Sequence, residues 1–258
     1  MSESLERSAV PGSRGAARMA VIIPMYNEEL GAARCVQAVC GVLSRAWPDS
    51  CLFVVNDGSR DLTEQIIRQE QLSQPLLRVV SYPNNKGYGA ALLEGAKAAR
   101  AAGFDFGLYM DSDLTNDPEL IPVFARAIQR DVDVVKASRY IKDGGMSGVP
   151  LYRQMISRLG NLIASLLCGI GIRDCTNGFR AVRLSLLEGV SFRERGFPSI
   201  MEELWVLKEK GAKFSEIPYI LTSRNGDQKG SSFRYNIRMF YRYLKYCVLA
   251  AFVRYRRA

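Results

Sequence analysis

Short apolar runs alternate with amphipathic stretches through the first 140 or so residues of the chain. Five runs rich in β-branched and aromatic residues predict strands, at Ala20–Pro24, Leu52–Asn56, Leu77–Ser81, Phe106–Met110 and Val132–Ser138. Apolar positions three and four residues apart predict helices between them, at Glu29–Ala46, Leu62–Gln71, Ala90–Ala102 and Pro118–Arg130. This alternation predicts an α/β fold, with a central, mostly parallel sheet flanked by helices.

The two ends of the chain differ from this central part. Residues 1–18 are rich in Ser, Gly, Ala and Arg and predict a disordered leader, so we expect the main domain to cover residues 19–228. Residues 229–258 predict an amphipathic helix with a basic stripe, formed by Arg234, Arg238, Arg242 and Lys245. The opposite face is apolar and carries Ile237, Phe240, Tyr241, Leu244 and Val248. Such a helix suits an anionic membrane surface, but its apolar face could equally pack on the main domain.

Composition excludes several kinds of chemistry. The 258 residues include no histidine, which rules out Ser-His-Asp and Cys-His nucleophile systems. The six cysteines form no Cys-x-x-Cys pair, and no secretory signal precedes them, so a reduced, cytoplasmic compartment is expected. Any catalysis must therefore use carboxylates, cations, a metal ion or the substrate itself.

Charge and hydropathy point to an anionic partner. The net charge is +9, and the chain from Lys229 onward carries eight Lys or Arg residues and no acidic residue. Nucleic acid, anionic lipid and a phosphorylated substrate all fit this charge, but no nucleic-acid-binding motif is present.

No apolar run reaches the roughly 18 residues of a spanning helix, since Asn161 interrupts the run Leu159–Ile172. We expect the chain to lie on a membrane rather than to cross one.

Polar clusters follow three of the predicted strands. They are Pro24-Met-Tyr-Asn-Glu28, Asn56-Asp-Gly-Ser-Arg-Asp61 and Asp111-Ser-Asp113. Each cluster by itself is also typical of an ordinary turn or a helix cap. In parallel sheets ligands bind beyond the carboxyl ends of the strands, so three clusters on one edge of the sheet predict a ligand site there.

The third cluster has the pattern of a cation site. Residues two apart in an extended chain point to the same side, so Asp111 and Asp113 would face one point beyond the strand end. Mg²⁺ or Mn²⁺ is commonly held by one or two carboxylates together with phosphate oxygens and water. The pair therefore predicts a diphosphate-bearing substrate, although an isolated Asp-x-Asp is more often a solvated loop.

Four runs at the strand ends carry a recognisable pattern. They are Val21-Ile-Ile-Pro-Met-Tyr-Asn-Glu28, Val55-Asn-Asp-Gly-Ser59, Asn85-Lys-Gly-Tyr-Gly-Ala90 and Met110-Asp-Ser-Asp-Leu114. Together they resemble the inverting nucleotide-sugar glycosyltransferases of family 2, which have a GT-A fold that binds the nucleotide sugar. The resemblance spans about residues 19–225.

Four later motifs narrow the resemblance to one branch of that family. They are Ser138-Arg-Tyr-Ile-Lys-Asp-Gly-Gly145, Arg153-x-x-x-Ser157-Arg158, Asp174-x-x-Asn-Gly-Phe-Arg180 and Arg224-x-Gly226-x-x-Lys229. These motifs are similar to those of dolichol-phosphate mannosyltransferases and polyprenyl-phosphate hexosyltransferases. The segment Tyr152–Ile172 also resembles the interfacial helices beside the acceptor site in this branch.

The resemblance implies roles for individual residues. The nucleotide-sugar donor would be held by Pro24, Tyr26, Glu28, Asp57, Lys86, Asp111 and Ser112. The metal ion, Mg²⁺ or Mn²⁺, would be held by Asp111, Asp113 and Thr115. The acceptor phosphate would be held by Arg139, Arg153, Ser157 and Arg224, which with Asp113 form the catalytic set; Arg158 and Lys229 are further candidates. The chain departs from the family pattern at Asn56, where Asp is frequent, and at Thr115, which offers only a neutral hydroxyl.

The missing histidine is consistent with a phosphate acceptor. A sugar hydroxyl needs a general base, whereas a phosphate monoester, with a second pKa of about 6, is already a dianion at neutral pH. Guanidinium groups would hold that dianion while a single displacement inverts the anomeric centre. Glu202 is either a base for a hydroxyl acceptor, as in other relatives, or a structural helix residue.

The sequence therefore predicts transfer of a hexose from a GDP- or UDP-sugar to a polyprenyl or dolichyl phosphate. It predicts a peripheral position at the cytosolic face of an anionic membrane, where a membrane-anchoring partner could assist. One alternative is a family 2 enzyme acting on a soluble hydroxyl acceptor. Another is a non-catalytic nucleotide-binding scaffold, which Asn56 and Thr115 would suit.

Overall fold

The computed structural model describes residues 16–222 and 237–257, including the last helix's side chains at residues 241–252. The strands are β1 Met19–Met25, β2 Leu52–Asp57, β3 Leu77–Tyr82, β4 Phe106–Tyr109, β5 Val134–Ser138, β6 Gly145–Met146, β7 Arg180–Arg183, β8 Phe214–Pro218 and β9 Ile220–Leu221. The helices are α1 Ala32–Ala46, α2 Thr63–Ser73, α3 Tyr88–Ala101, α4 Ile121–Ala127, α5 Leu151–Cys168, α6 Ser199–Glu209 and α7 Ile237–Arg257.

Seven of these strands form one sheet in the order β3-β2-β1-β4-β7-β5-β8. β1 pairs in parallel with β2 and β4, and β2 pairs in parallel with β3. β7 runs antiparallel to both of its neighbours, while β5 and β8 are parallel. The short strands β6 and β9 form a separate parallel pair. The predicted mostly parallel central sheet with flanking helices is confirmed.

The predicted elements lie close to the observed ones. The largest difference is at Pro118–Arg130, where a 3₁₀ turn, Pro118–Leu120, precedes a short helix α4. Pro122 lies in the first turn of α4 and lacks a backbone N–H, so a single continuous helix would lose a hydrogen bond there. Asp117 caps the 3₁₀ turn by accepting a hydrogen bond from the Glu119 backbone N–H.

Alternation along the strands divides the core between the two faces of the sheet. Val21 and Ile23 face a cluster that includes side chains of α1, α2 and α4, whereas Ala20 and Ile22 face α3 and α6. Because both faces are covered, the polar ends of the strands are the part of the central sheet left for a ligand.

The last helix packs on the main domain through a face that the sequence pattern did not predict. Tyr246, Cys247 and Ala250 are buried in a cluster with α5 and α6, while Tyr241 and Leu244 from the predicted apolar stripe are exposed. Val248, also in that stripe, is exposed as well. Packing of the predicted apolar face against the domain, the alternative raised from the sequence, is therefore wrong for these residues.

The boundaries of the predicted domains are only partly covered by the described residues. Residues 1–15 of the predicted leader and residues 223–236, which include Arg224, Lys229 and Arg234, lie outside them. Ala17 and Arg18, assigned to the leader by the sequence pattern, bond through their backbone N–H groups to Gln129 and Asp105.

Candidate active site

The carboxyl end of β2 is tied to the loop before α3 through Asp57. This buried carboxylate accepts hydrogen bonds from the backbone N–H groups of Lys86 at 2.7 Å and Gly87 at 2.9 Å. Gly58 has a φ of +66°, and a Cβ there would lie 2.6 Å from the Asn84 carbonyl carbon. The Asn-Asp-Gly turn thus brings the end of β2 against the loop before α3, and the hydrogen bonds of Asp57 hold the two together.

The ends of β1 and β2 are fastened to each other in the same way. Asn27, at a φ of 54°, donates its backbone N–H to the Ser59 hydroxyl and accepts the Arg60 backbone N–H on its side-chain oxygen. The Glu28 backbone N–H donates to the Thr63 hydroxyl. The Tyr26 ring is left exposed on the rim, where a flat nucleobase could stack on it.

The Lys86 side chain extends from the same rim. Its ammonium lies 4.3 Å from the centre of the Tyr82 ring and 3.9 Å from a Glu94 carboxylate oxygen. Lys86 is exposed, so this cation is available to an anionic ligand at the mouth of the site.

The Asp-Ser-Asp cluster follows β4 in a tight, well-bonded turn. Asp113 accepts hydrogen bonds from the Thr115 backbone N–H and from the Thr115 hydroxyl at 2.6 Å. Leu114, between them, has a φ of 58°, and buried Asn116 accepts the Asp111 backbone N–H. Both carboxylates remain half-buried, and the turn holds them at the rim that Tyr26 and Asp57 share.

Tyr219, in the link between β8 and β9, closes this turn from the other side. Its hydroxyl donates to the Thr115 carbonyl oxygen at 2.7 Å. Burial raises the pKa of Tyr219 to about 12; the hydrogen bond with Asn116 lowers it and the nearby charges of Asp111 and Asp113 raise it. Tyr219 therefore lies close to both carboxylates and holds the turn through the Thr115 carbonyl.

The donor set of this turn fits a hard divalent cation. Asp111 and Asp113 offer carboxylate oxygens, the ligands that Mg²⁺ and Mn²⁺ prefer. Among the described residues, no group of three or more Asp, Glu or Cys side chains is arranged to hold a metal ion. A cation here would have at most these two carboxylates from the described protein, and the Thr115 hydroxyl serves to orient one of them.

The Asp174–Arg180 motif lies directly against the carboxylate turn. A Cβ on Gly178 would lie 3.2 Å from the Tyr88 hydroxyl and 3.9 Å from an Asp111 carboxylate oxygen. Burial, followed by the charge of Asp111, raises the pKa of Tyr88 above its usual range. The predicted donor side and the predicted acceptor side therefore meet at Gly178, where a larger side chain would press on the Tyr88 hydroxyl.

Arg139, at the end of β5, forms the centre of the predicted acceptor side. Its Nε and Nη2 groups donate to the two oxygens of Asp174 at 2.7 and 2.8 Å, and Nη2 also donates to the Thr176 hydroxyl. Burial alone would raise the pKa of Asp174, but the charge and hydrogen bonds of Arg139 outweigh it and hold that pKa below its usual value. These bonds use three of the five guanidinium N–H donors, and within residues 16–222 and 237–257 the two on Nη1 make no hydrogen bond.

Helix α5 carries the next two predicted acceptor residues. The Ser157 hydroxyl lies 2.7 Å from the Tyr140 hydroxyl, beside Arg139. Arg153, one turn earlier, is exposed and donates to the Tyr152 hydroxyl. The structure thus brings Arg139 and Ser157 together through Tyr140, whereas Arg153 and Arg158 lie on the exposed surface of α5.

Glu202 is committed to a structural task. One of its oxygens accepts the backbone N–H groups of Arg193 and Glu194, and the other accepts that of Arg193 as well. The carboxylate is buried in the first turn of α6 and anchors this loop. It is therefore poorly placed to accept a proton from a substrate.

A cluster of fully buried charged residues lies beside the Asp174–Arg180 motif. Lys136 donates to the Asn177 carbonyl oxygen at 2.7 Å, and Arg180 forms an ion pair with Glu203. Burial, followed by the charge of Arg180, lowers the pKa of Lys136 to about 8. The sequence pattern did not indicate Lys136, Asp174 as the partner of Arg139, or a role for Asn161 beyond interrupting an apolar run.

Helix α5 and the last helix expose a broad apolar surface beside Arg153 and Ser157. Its α5 members are Leu151, Tyr152, Met155, Ile156, Leu159, Leu162, Ile163 and Leu166, all exposed. Its α7 members are Tyr241, Leu244, Val248 and Phe252. Neither helix carries an acidic residue. Over the described residues, no helix combines the length and hydropathy that a bilayer-spanning segment needs.

Comparison with known proteins identifies the family. The sequence profile of the family described as "Glycosyl transferase family 2" matches residues 20–190, which include the ends of β1, β2, β4 and β5. The chain belongs to this family. The relatives of this chain include proteins named as polyprenyl-phosphate mannosyltransferases, the branch that the later motifs resemble.

Three curated relatives carry names from that branch. The "Dolichol-phosphate mannosyltransferase" of Pyrococcus furiosus is 31% identical over 89% of this chain and 64% of its own length. The "Polyprenol monophosphomannose synthase" of Mycolicibacterium smegmatis is 29% identical over 80% of this chain and 78% of its own length. The "Undecaprenyl-phosphate mannosyltransferase" of Micrococcus luteus is 29% identical over 83% of this chain and 88% of its own length. The match thus spans less than two thirds of the Pyrococcus furiosus enzyme.

Solved structures confirm the GT-A fold. Glucosyl-3-phosphoglycerate synthase from Mycobacterium tuberculosis, solved with Mn²⁺, UDP and glucosyl-3-phosphoglycerate, matches with a TM-score of 0.63 at 19% identity. The match covers 91% of this chain and 80% of that one. At this identity the likeness concerns the fold alone.

Proposed function

We propose that this glycosyltransferase moves a hexose from a nucleotide sugar to a polyprenyl phosphate at a membrane surface. The observation that carries the proposal is the position of Arg139 and Ser157, which lie beside the exposed apolar surface of α5. A polyprenyl phosphate has this same division, with a dianionic head and an apolar chain. The names of the three relatives support the same class of acceptor and favour mannose as the sugar.

The donor side supports a nucleoside diphosphate sugar. Tyr26 offers a ring for the base, together with Pro24 and Glu28. Asp57, whose two oxygens accept the Lys86 and Gly87 backbone N–H groups, would hold the loop before α3 in place, and Lys86, Asp111 and Ser112 would lie nearer the diphosphate. Asp111 and Asp113 would hold Mg²⁺ or Mn²⁺ with donor phosphate oxygens in the shell. That ion would neutralise the charge that develops on the leaving nucleoside diphosphate.

The acceptor side supports a displacement that needs no protein base. The acceptor phosphate is a dianion at neutral pH, so its oxygen can attack the anomeric carbon directly. The carbon–oxygen bond to the donor's β-phosphate breaks, and the electron pair leaves with the nucleoside diphosphate. The two Nη1 hydrogens of Arg139, with Ser157, Arg153 and Arg224, would hold the attacking phosphate in line. An α-linked donor would give a β-linked product.

The apolar surface of α5 and α7 supports a peripheral position on the cytosolic face of a membrane. Exposed leucines and isoleucines on one side of a helix that has basic and no acidic residues suit an anionic lipid surface. Arg153 and Arg158 would then lie at the level of the lipid headgroups. A membrane-anchoring partner could add to this attachment without being needed for it.

A substitution at Glu202 distinguishes transfer to a phosphate acceptor from transfer to a hydroxyl acceptor. Because backbone N–H groups occupy the Glu202 carboxylate, we expect Glu202→Gln to keep the rate of transfer within about 3-fold of wild type. Its main effect should be a lower thermal midpoint, since the loop at Arg193 loses part of its anchor. A general base for a hydroxyl acceptor would instead lose most of its activity with this change.

The direct test incubates the purified chain with Mn²⁺, a short polyprenyl phosphate in vesicles, and a panel of GDP- and UDP-sugars, GDP-mannose first. Mass spectrometry would detect the glycosyl lipid, and NMR would give the anomeric configuration. A lipid-dependent, β-linked product from one donor supports the proposal. Release of nucleoside diphosphate with product only on a soluble hydroxyl would overturn it, and nucleotide binding without turnover on any acceptor would favour the scaffold.

A further inference from the structure

A buried amide interrupts the otherwise apolar helix α5. Asn161 is 2% exposed, whereas its neighbours Leu162 and Ile163 face solvent. An amide at such a position costs free energy unless its polar atoms are all hydrogen-bonded. Its presence in the helix that forms the apolar surface needs a reason beyond packing.

Every hydrogen-bonding position of the Asn161 side chain is used. Its carbonyl oxygen accepts the backbone N–H groups of Cys175 at 2.9 Å and Thr176 at 3.1 Å. Its amide donates to the Ser157 carbonyl oxygen and to the Thr176 hydroxyl, both at 3.0 Å. Two acceptor and two donor bonds are the full capacity of an asparagine side chain. The amide therefore fixes the segment 174–177 against α5.

The same segment holds the acceptor arginine. The Thr176 hydroxyl accepts from Arg139 Nη2 at 3.1 Å as well as from Asn161, so one oxygen joins the two side chains. Asp174, two residues earlier, forms the two-pronged bond to the Arg139 guanidinium. The orientation of the guanidinium is thus set by a loop whose own position is set by Asn161.

A second link joins α5 to the same strand end. The Ser157 hydroxyl bonds to Tyr140, the residue after Arg139, and Asn161 bonds to the Ser157 carbonyl oxygen one turn later on the helix. Helix α5 therefore contacts the Arg139 region through its Ser157 hydroxyl and its Asn161 amide. Movement of α5 relative to β5 would have to break both links.

We propose that Asn161 is a positioning residue that couples the apolar helix α5 to the phosphate-binding face of Arg139. The inference rests on the proposed function, because it takes Arg139 to hold the acceptor phosphate. Asn161 touches neither the donor nor the reacting atoms. Its effect is to keep the guanidinium of Arg139 in a fixed position relative to α5, through Thr176 and the segment 174–177.

The test uses two variants that remove opposite ends of one bond. Asn161→Leu keeps the side-chain size and removes all four hydrogen bonds, while Thr176→Val removes only the shared hydroxyl. The control is Ser165→Ala, which deletes a hydrogen bond of 2.6 Å from the same helix to the Ile172 carbonyl oxygen, away from Arg139. Each protein would be assayed for the KM of the polyprenyl phosphate, the KM of the sugar nucleotide and kcat.

We expect Asn161→Leu to raise the KM of the polyprenyl phosphate about 10-fold and Thr176→Val about 3-fold, with the sugar-nucleotide KM within about 2-fold. The double variant should resemble Asn161→Leu alone, because both changes break the same path to Arg139. Ser165→Ala should leave both KM values unchanged. Equal changes in both KM values, additive effects in the double variant, or the same loss in Ser165→Ala would overturn the inference. If Asn161→Leu does not fold, Thr176→Val against Ser165→Ala decides the matter.

A second readout does not depend on the proposed function. Hydrogen exchange followed by mass spectrometry should show faster exchange at 174–177 in Asn161→Leu, since the Cys175 and Thr176 amides lose their acceptor, and unchanged exchange there in Ser165→Ala. Unchanged exchange in Asn161→Leu would overturn the coupling even in an active enzyme. Faster exchange in a chain that transfers no sugar to lipid would instead contradict the proposed function and leave the Asn161 contact in place.

Discussion

The cation turn of the proposed donor side, residues 111–115, and the proposed acceptor side are built in different ways. Asp113, in the cation turn, is fixed by Thr115, two residues away. On the acceptor side, Arg139 is fixed by Asp174 and Thr176, which are 35 and 37 residues away. The cation turn is thus a local structure at the end of β4, whereas the proposed acceptor site depends on the correct packing of α5.

This difference predicts two separable kinds of defect. Damage to the donor side should abolish transfer to every acceptor, because it affects the leaving group. Damage to the acceptor side should raise the KM for the phosphorylated lipid and leave donor binding intact.

The largest effect is expected from Asp113→Asn. The amide keeps an oxygen for the Thr115 bonds but loses the charge that would hold the cation, so transfer should fall by at least about 100-fold. The matched control is Asp117→Asn, which makes the same change four residues later, where Asn can still cap the 3₁₀ turn. Mn²⁺-dependent turnover of both variants is the measurement, and an Asp113→Asn rate within 3-fold of wild type would contradict the metal assignment.

Arg139→Lys should produce the next largest effect. Lysine keeps the charge but cannot make the two-pronged contact to Asp174 and still present two donors to a phosphate, so the KM of the polyprenyl phosphate should rise about 30-fold. Arg183→Lys is the control, because Arg183 also pairs with an aspartate, Asp133, at the far end of its strand. If both variants change the lipid KM alike, Arg139 has no special role in acceptor binding.

Replacement of one exposed leucine on α5 should weaken membrane binding. Leu159→Glu places a charge in the apolar surface and should lower the affinity for anionic vesicles about 10-fold, with less effect on a short, water-soluble acceptor phosphate. Leu72→Glu makes the same change at an exposed leucine on α2 and should have no effect on binding. Vesicle co-sedimentation would compare the two. Equal binding by both variants would remove α5 from the membrane contact.

The smallest expected effect on transfer comes from the buried Lys136, which should change the pH dependence of stability instead. The pKa of Lys136 is lowered from 10.5 to about 8, first by burial, so between these values the unfolded chain binds a proton that the folded chain lacks. Lys136 therefore makes stability rise as the pH increases through this window, by about 3 kcal/mol, and Lys136→Met should lack this gain.

Denaturant unfolding of wild type and Lys136→Met at several pH values would measure that difference. Burial raises the pKa of Cys35 to about 12 and that of Cys40 to about 11, so these thiols reduce stability above pH 9 in both proteins. The difference between the two proteins isolates Lys136. A difference that stays flat from pH 7.5 to 10.5 would mean that the pKa of Lys136 is not lowered.

The sequence predicted the strands and turns of the proposed donor side, but not the long-range contacts of the proposed acceptor side, for the same physical reason. Strand ends and turn residues are encoded locally, so β1, β2 and β4 and the clusters at Tyr26, Asp57 and Asp113 could be located from apolar runs and Asn-Asp-Gly turns. Nothing in the sequence pattern indicates that Asn161 would bond to Thr176 or that Glu202 would anchor the loop at Arg193. Those contacts join distant segments, and only the packed fold brings them together.

The face of α7 shows the same limit. Its periodicity placed Tyr241 and Leu244 on an apolar stripe, but could not tell whether that stripe or the one with Tyr246 would pack on the domain. In the packed helix, the small side chains of Cys247 and Ala250 lie with the Tyr246 ring against α5 and α6, and Tyr241 and Leu244 are left outside.

The most direct test of the account compares one lipid with and without its phosphate. Wild-type protein, Mn²⁺ and the accepted sugar nucleotide would be incubated with vesicles containing either a polyprenyl phosphate or the same polyprenol, at pH values from 6 to 8. The account predicts product only on the phosphate, at a rate that levels off once the phosphate is fully ionised. Transfer to the polyprenol, or to a soluble hydroxyl acceptor at a comparable rate, would contradict it.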